Sequence, residues 1–231
     1  MVNLPHVVGD AILVLVPMIL SLTVHEFAHA WVATRLHDDT PRNLGRLTLN
    51  PLAHADLMGT ILLPLLILVA NGATGLSAVG MGLPFLGWAK PVPVNPTRFR
   101  RSVSMRTGMM LVAFAGPIAN LILSFICLVI YTFLLRTGYL EEVSPSIRTL
   151  LFYMFFTNIG LFVFNMIPVY PLDGQKVLAG LLPRASAERF EHFNLQFGWI
   201  LLLGLIFMGR NILALPIMWV SRGLLNLVGI S

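Results

Sequence analysis

Three ionisable side chains sit inside a stretch of chain that is otherwise apolar enough to cross a membrane. From Ala11 to Thr34 the residues are mostly hydrocarbon-bearing and reach the roughly 20-residue length that a spanning helix needs, yet His25, Glu26 and His29 lie within them. Ionisable groups at that depth cost at least a few kcal/mol unless paired or hydrated, so the run predicts a functional centre. Spacing narrows the chemistry. Residues 25–29 read HEFAH, and four helical residues turn the chain through about 400°, so His25 and His29 share one face and can share a metal, with Glu26 beside it. Composition predicts roughly 0.003 accidental occurrences of this pattern. Counting back from Arg35 at about 1.5 Å per residue puts His29 roughly 9 Å and His25 roughly 15 Å inside the helix end. A polar helix end resting among lipid headgroups would explain neither the spacing nor the depth.

The rest of the composition agrees with a membrane setting. Of the residues, 57% are hydrophobic and 11% charged, with a mean hydropathy of +0.83, whereas soluble domains carry about a quarter charged residues. The net charge of +5 is spread in short clusters between apolar runs, which argues for membrane topology and against nucleic-acid binding. Cys127 is the single cysteine, so a disulfide framework or a cysteine metal site cannot be built, and a metal must take His and carboxylate ligands. MVNLPHVVGD lacks a basic region and a small-residue cleavage signal, so the first apolar run is expected to be a retained helix.

Further spans are expected from Leu57 to about Asn71, from Arg106 to about Arg136 and from Leu150 to Asn165. The region Leu195 to Val228 reads as a helical hairpin broken near Gly209, Arg210 and Asn211. Between the second and third spans, Gly72 to Pro96 is punctuated by Gly and Pro and ends in GWAKPVPVNP, which reads as re-entrant or extended. The expectation is an all-α polytopic membrane protein with about five to six transmembrane helices and a proline-rich re-entrant or extended segment. It would be one integral-membrane domain over 1–231, with its core in about 7–183 and the hairpin in about 195–229. If Gly72–Pro96 returns to the side it left, eleven of the fifteen Lys and Arg residues share a side, which would be cytoplasmic, with the N-terminus external.

A hydrolytic zinc site uses three protein ligands and one open position, so a third ligand must come from elsewhere. Asp10, Asp38, Asp39, Glu141 and Glu142 read as interfacial charges, and Glu188 and Glu191 fall in a polar stretch. Asp173 differs. It follows Pro168 and Pro171 in NMIPVYPLDG, and broken backbone at membrane depth is tolerated where it lines a wet cavity; capping the following helix is its plainer use. Asp56 suits an N-cap, and His54 could line the site, contact substrate or sit at the interface. KPVPVNP could offer strand-like hydrogen bonds to an unwound substrate, or be a plain loop. Gly116, Pro117 and Asn120 in AGPIAN read as helix-packing residues, and LLFYMFFTNIGLFVF as lipid-facing and core surface.

HEFAHA and NMIPVYPLDG, with GRLTLNPLAHADLMGT, GWAKPVPVNP and AGPIANL, resemble the site-2 protease family of intramembrane zinc metalloproteases, in its short bacterial branch without PDZ or CBS domains. The likeness runs from about Val7 to Pro183. It implies one catalytic zinc per chain held by His25, His29 and Asp173, with Glu26 as general base and Asn165 holding the substrate backbone. It also implies transmembrane proteins or peptides as substrates, a bacterial inner-membrane location and an active site open to the cytoplasm. Two rival classes are a zinc or divalent-metal transporter, for which Glu26 would have no use, and a non-catalytic relative that binds membrane partners.

Overall fold

The apolar run that carries HEFAH folds as one helix, α1 (Leu4–Arg35), in the computed structural model, which describes residues 4–66 and 87–230. Its portion Ile12–Arg35 is long and apolar enough to cross a membrane. The helix ends in a hydrogen-bonded cap. His37 takes a left-handed φ of 76°, the Asp38 N–H reaches back to the Ala33 carbonyl and the His37 N–H to the Thr34 carbonyl. Two carbonyls that a helix end leaves open are thereby satisfied. Asp38, expected as an interfacial charge, is fully buried, and its Oδ1 accepts from the Thr40 N–H at the start of α2 (Thr40–Asn43).

Side-chain caps set the next two starts. Asn50 accepts from the Leu52 N–H ahead of α3 (Pro51–His54), and Asp56 accepts from the Met58 and Gly59 N–H groups ahead of α4 (Leu57–Leu66), whose first turns are π-helical. Asp56 is thus the N-cap its position suggests. The expected second span beyond Leu66, and Gly72–Pro96 up to residue 86, lie outside the described residues. Trp88 N–H donates to the Gly59 carbonyl, so the chain at residue 88 is back at the end where α4 began. Residues 87–95 form no helix, as Pro91 and Pro93 require, and lead into a 3₁₀ turn at Pro96–Arg98.

Ser104 caps α5 (Met105–Arg136) by accepting from the Thr107 N–H, and Pro145 starts α6 (Pro145–Asn165) at a position where its missing N–H costs nothing. A proline-broken turn then gives the short α7 (Asp173–Leu181), followed by α8 (Arg184–Leu227). Among the described residues every regular element is helical. Among the described residues three helices have spanning length and hydropathy, Ile12–Arg35, Met105–Arg136 and Pro145–Asn165, and Leu57–Leu66 and Ile212–Leu227 are apolar but shorter.

The expected C-terminal hairpin is instead a single helix of 44 residues. A reversal needs a short non-helical turn, and Gly209-Arg210-Asn211 contains no proline to force one; a glycine inside a helix costs only about 1 kcal/mol. Tertiary contacts agree. The first part of α8 packs on α7, while the Arg136 guanidinium at the end of α5 donates to the Val228 carbonyl at 2.6 Å, so α8 runs from one end of the bundle to the other.

α5 is central and packs against α1, α6 and α7. Met18 and Leu22 of α1, Cys127 and Leu128 of α5, and Phe155 and Ile159 of α6 share one core. Lipid is as apolar as leucine, so packing and buried polar bonds must hold such helices together. Ser124 provides one of these bonds, donating from its hydroxyl to the Phe155 carbonyl at 3.1 Å.

Candidate metal centre

His25 and His29 stand one helical turn apart on α1, with ring centroids 4.6 Å apart and planes at 87°. Asp173 reaches them from across the fold. Its Oδ2 lies 3.1 Å from His25 Nε2 and 3.3 Å from His29 Nε2, and the three ligand atoms all lie within 4.8 Å of one another. Asp173 is the first residue of α7, and the helix takes no side-chain cap, so the carboxylate serves the histidines and not the helix end. Two devices bring it there. Gly174 sits where a Cβ would stand 2.3 Å from the Met166 carbonyl oxygen, so only glycine lets α7 begin this close to the end of α6. Asn194 of α8 accepts from the Tyr170 N–H at 2.9 Å and pins the intervening turn.

Hydrogen bonds behind the rings decide which nitrogen carries the proton. His29 Nδ1 lies 2.7 Å from the Val112 carbonyl, which can only accept, so Nδ1 is the donor. His25 Nδ1 lies 2.6 Å from Asn120 Oδ1. The Asn120 amide is spent on the Ser21 carbonyl (3.0 Å) and Asn158 Oδ1 (2.8 Å), so Oδ1 is its accepting end and His25 Nδ1 also donates. With Nδ1 as the donor, the neutral form of each ring presents its Nε2 lone pair to the Asp173 carboxylate oxygen.

Lone pairs converging without a donor repel unless a cation lies between them. A tetrahedral centre with bonds of about 2.0–2.1 Å has ligand atoms about 3.3 Å apart, which matches the two spacings to Asp173. Gly116 supplies the room: a Cβ there would stand 2.5 Å from His29 Nε2 and 2.7 Å from His25 Cε1. The donor set of two imidazoles and one carboxylate suits zinc, and the fixed tautomers match the way ligating histidines are held by outer partners.

Glu26 is buried next to this group, and its Oε2 accepts from the Val92 N–H at 3.0 Å. The structure keeps His54 and Asn165 out of the cluster. His54, weighed as a substrate contact, is 1% exposed; its Nε2 donates to the Thr48 carbonyl at 2.8 Å and its own carbonyl accepts from the Lys90 N–H, so it braces the 48–54 turn against the segment from Gly87 and shows no face to a substrate. Asn165 ends α6 half-buried, with its amide on the Leu161 carbonyl. KPVPVNP is extended, and part of its backbone is already paired. Lys90, Val92 and Asn95 have their N–H groups committed to His54, Glu26 and Asp38, and its prolines have none.

Gly116 and Asn120 do more than pack helices, and Asn158 lies in the aromatic run to which no site was assigned. The available signal was an uncharged but costly amide inside an otherwise apolar span, which needs a buried partner. Outer partners of metal-bound histidines are worth about 10–100-fold in affinity. Asn120→Ala is therefore expected to weaken zinc binding by about that factor, read by competition with a chelating dye, with helix content unchanged; native affinity in this variant would show that His25 needs no such support.

The match to known proteins follows this geometry. The family model described as peptidase family M50 matches residues 139–205, which contain Asn165 and Asp173. Similar proteins include the one named "Putative zinc metalloprotease YwhC" from Bacillus subtilis, 38% identical over 186 residues that cover 78% of this chain and 74% of the relative. Another is "Putative zinc metalloprotease Rip2" from Mycolicibacterium smegmatis, 30% identical over 171 residues, 74% of this chain and 58% of the relative. Rip2 from Mycobacterium tuberculosis is 27% identical over 195 residues, 84% of this chain and 66% of the relative. No solved structure matches the chain.

Proposed function

The chain belongs to peptidase family M50, and on that footing we propose that it is a zinc-dependent intramembrane endopeptidase, cutting transmembrane segments of other proteins near their cytoplasmic ends. The observation that carries this reading is the convergence of His25 Nε2, His29 Nε2 and Asp173 Oδ2 beside Glu26, on a helix of membrane-spanning length. The relatives' names supply zinc, and the donor set fits it. His25, His29 and Asp173 would hold one zinc per chain, which when bound would supply Lewis acidity to the scissile carbonyl and to water.

The chain's own residues do the rest. Glu26 takes a proton from the attacking water and passes it to the leaving nitrogen, while the Val92 N–H holds one carboxylate oxygen in place. Asn120 and the Val112 carbonyl keep both imidazoles in the tautomer that binds a cation. Asn165, eight residues before Asp173 at the end of α6, is offered as the contact to the substrate backbone.

Orientation follows from charge. Arg100 N–H donates to the Leu36 carbonyl, and the Arg106 guanidinium donates to the Ala179 carbonyl, so the end of α1, the start of α5 and α7 lie on one side. That side carries Arg35, Arg42, Arg46, Lys90, Arg98, Arg100 and Arg101, which supports a cytoplasmic face under the positive-inside rule and an inner-membrane location. At about 1.5 Å per residue from Arg35, the cut falls roughly 9–15 Å inside the bilayer.

Purified chain in detergent, given a panel of single-span peptides, is expected to cut within the apolar segment, to lose activity to a chelator and to regain it with zinc. Zinc flux into liposomes without any cleavage would replace this reading with a transporter.

A further inference from the structure

Arg46 lies between α2 and α3 and is 6% exposed. A guanidinium cannot shed its proton, so burying it demands compensation. Nη1 donates to the Ala53 carbonyl, and Nη2 donates to the Lys90 carbonyl and, at 2.8 Å, to the Pro91 carbonyl. Nε has no partner, and among the described residues no carboxylate forms an ion pair with Arg46.

A negative charge does lie nearby, one peptide away. The Pro91–Val92 peptide is trans, so its C=O and N–H point in opposite directions. The C=O faces Arg46 and the N–H faces Glu26 Oε2, at 2.8 Å and 3.0 Å. Guanidinium, peptide dipole and carboxylate are joined through one amide, an arrangement in which each hydrogen bond polarises the amide and strengthens the other. The neighbouring pins are the Lys90 N–H on the His54 carbonyl and the Asn95 N–H on Asp38 Oδ2, at 2.7 Å. Between them Pro91 and Pro93 have no N–H, so backbone pairing offers little to replace Arg46.

We infer that Arg46 is a positioning residue, which holds the Pro91–Val92 peptide so that the Val92 N–H aims the Glu26 carboxylate beside the histidines. Its kinetic consequence rests on the peptidase reading above; its structural consequence does not. Misplacing a reacting group by about 1 Å can cost on the order of a hundredfold in rate, whereas no ligand or substrate contact is removed.

The test uses the full chain in detergent, with two readouts. In NMR of chain labelled with ¹⁵N-valine, Arg46→Gln is expected to speed amide exchange of Val92 by about tenfold or more, leaving Val112 and Val163 in the helices unchanged. In peptide cleavage, Arg46→Gln is expected to lower kcat about 10–100-fold, with KM and zinc content within about twofold of native. Arg46→Lys, whose compact ammonium cannot span three carbonyls, falls between. Val92→Pro, which deletes the donor and also fixes φ at residue 92, should lower kcat at least as far as Arg46→Gln, and the double variant Arg46→Gln/Val92→Pro should be no worse than Val92→Pro alone. Native exchange at Val92 in Arg46→Gln overturns the inference, as does a rate loss that tracks zinc content or KM. If the native chain cuts no peptide, the peptidase reading falls alone, because the exchange measurement still decides whether Arg46 holds Val92.

Discussion

Glu26→Gln is expected to lower the cleavage rate by about a hundredfold to ten-thousandfold, the usual worth of a positioned general base, while zinc content stays at one per chain. The substitution is clean for a structural reason. The Glu26 oxygen that matters to the fold is an acceptor for the Val92 N–H, and a glutamine carbonyl can accept the same bond. No ligand is lost, because Glu26 is not among the three atoms that converge on the metal position. Only the capacity to take and return a proton disappears. Turnover of a single-span peptide beside metal analysis of the same sample gives the answer. A variant that cuts like the native chain would place the base elsewhere; a transporter would keep its zinc flux, since permeation makes no use of a proton acceptor between two histidines.

The part of this site visible in the sequence was the part written in local periodicity. His25 and His29 share a face because a helix repeats every 3.6 residues, and nothing distant is needed to know it. Asp173 was legible for a different reason: prolines break the helix ahead of it, and broken backbone at membrane depth needs a purpose. The supporting groups were not legible, because each depends on how helices cross. Asn120 meets His25 from 95 residues away and Asn158 meets Asn120 across 38, and in the sequence both are lone amides in apolar runs. Arg46 counted as one more basic residue on the cytoplasmic side; only the return of the chain at residues 90–92 reveals it as buried. The hairpin expected near Gly209 failed in the opposite sense. Local break signals were present, but they are weak, and α8 is held at its far end by Arg136 on Val228.

Asp173→Ala should empty the centre and with it remove activity. Structural zinc sites bind with about 10–16 kcal/mol, so each of four ligands carries roughly 2.5–4 kcal/mol, or about two to three orders of magnitude in affinity. A catalytic site with three protein ligands has less to spare, and here the lost ligand is also the only charged one of the three. The fold should survive the change. The start of α7 is set by the proline-broken turn, by Gly174 against the Met166 carbonyl and by Asn194 on Tyr170, and the Asp173 side chain caps nothing. His25 and His29 keep their partners at Nδ1, so α1 and α5 stay joined. Zinc titration should therefore show affinity reduced by about two to three orders, with helix content and melting close to those of the metal-free native chain. Restoring cleavage with excess zinc would be the expected partial rescue, because the two imidazoles and Glu26 remain in place. Native zinc affinity in Asp173→Ala would mean that the third ligand comes from another residue, and that the 3.1 and 3.3 Å approaches of Asp173 to the two histidines serve only the metal-free chain.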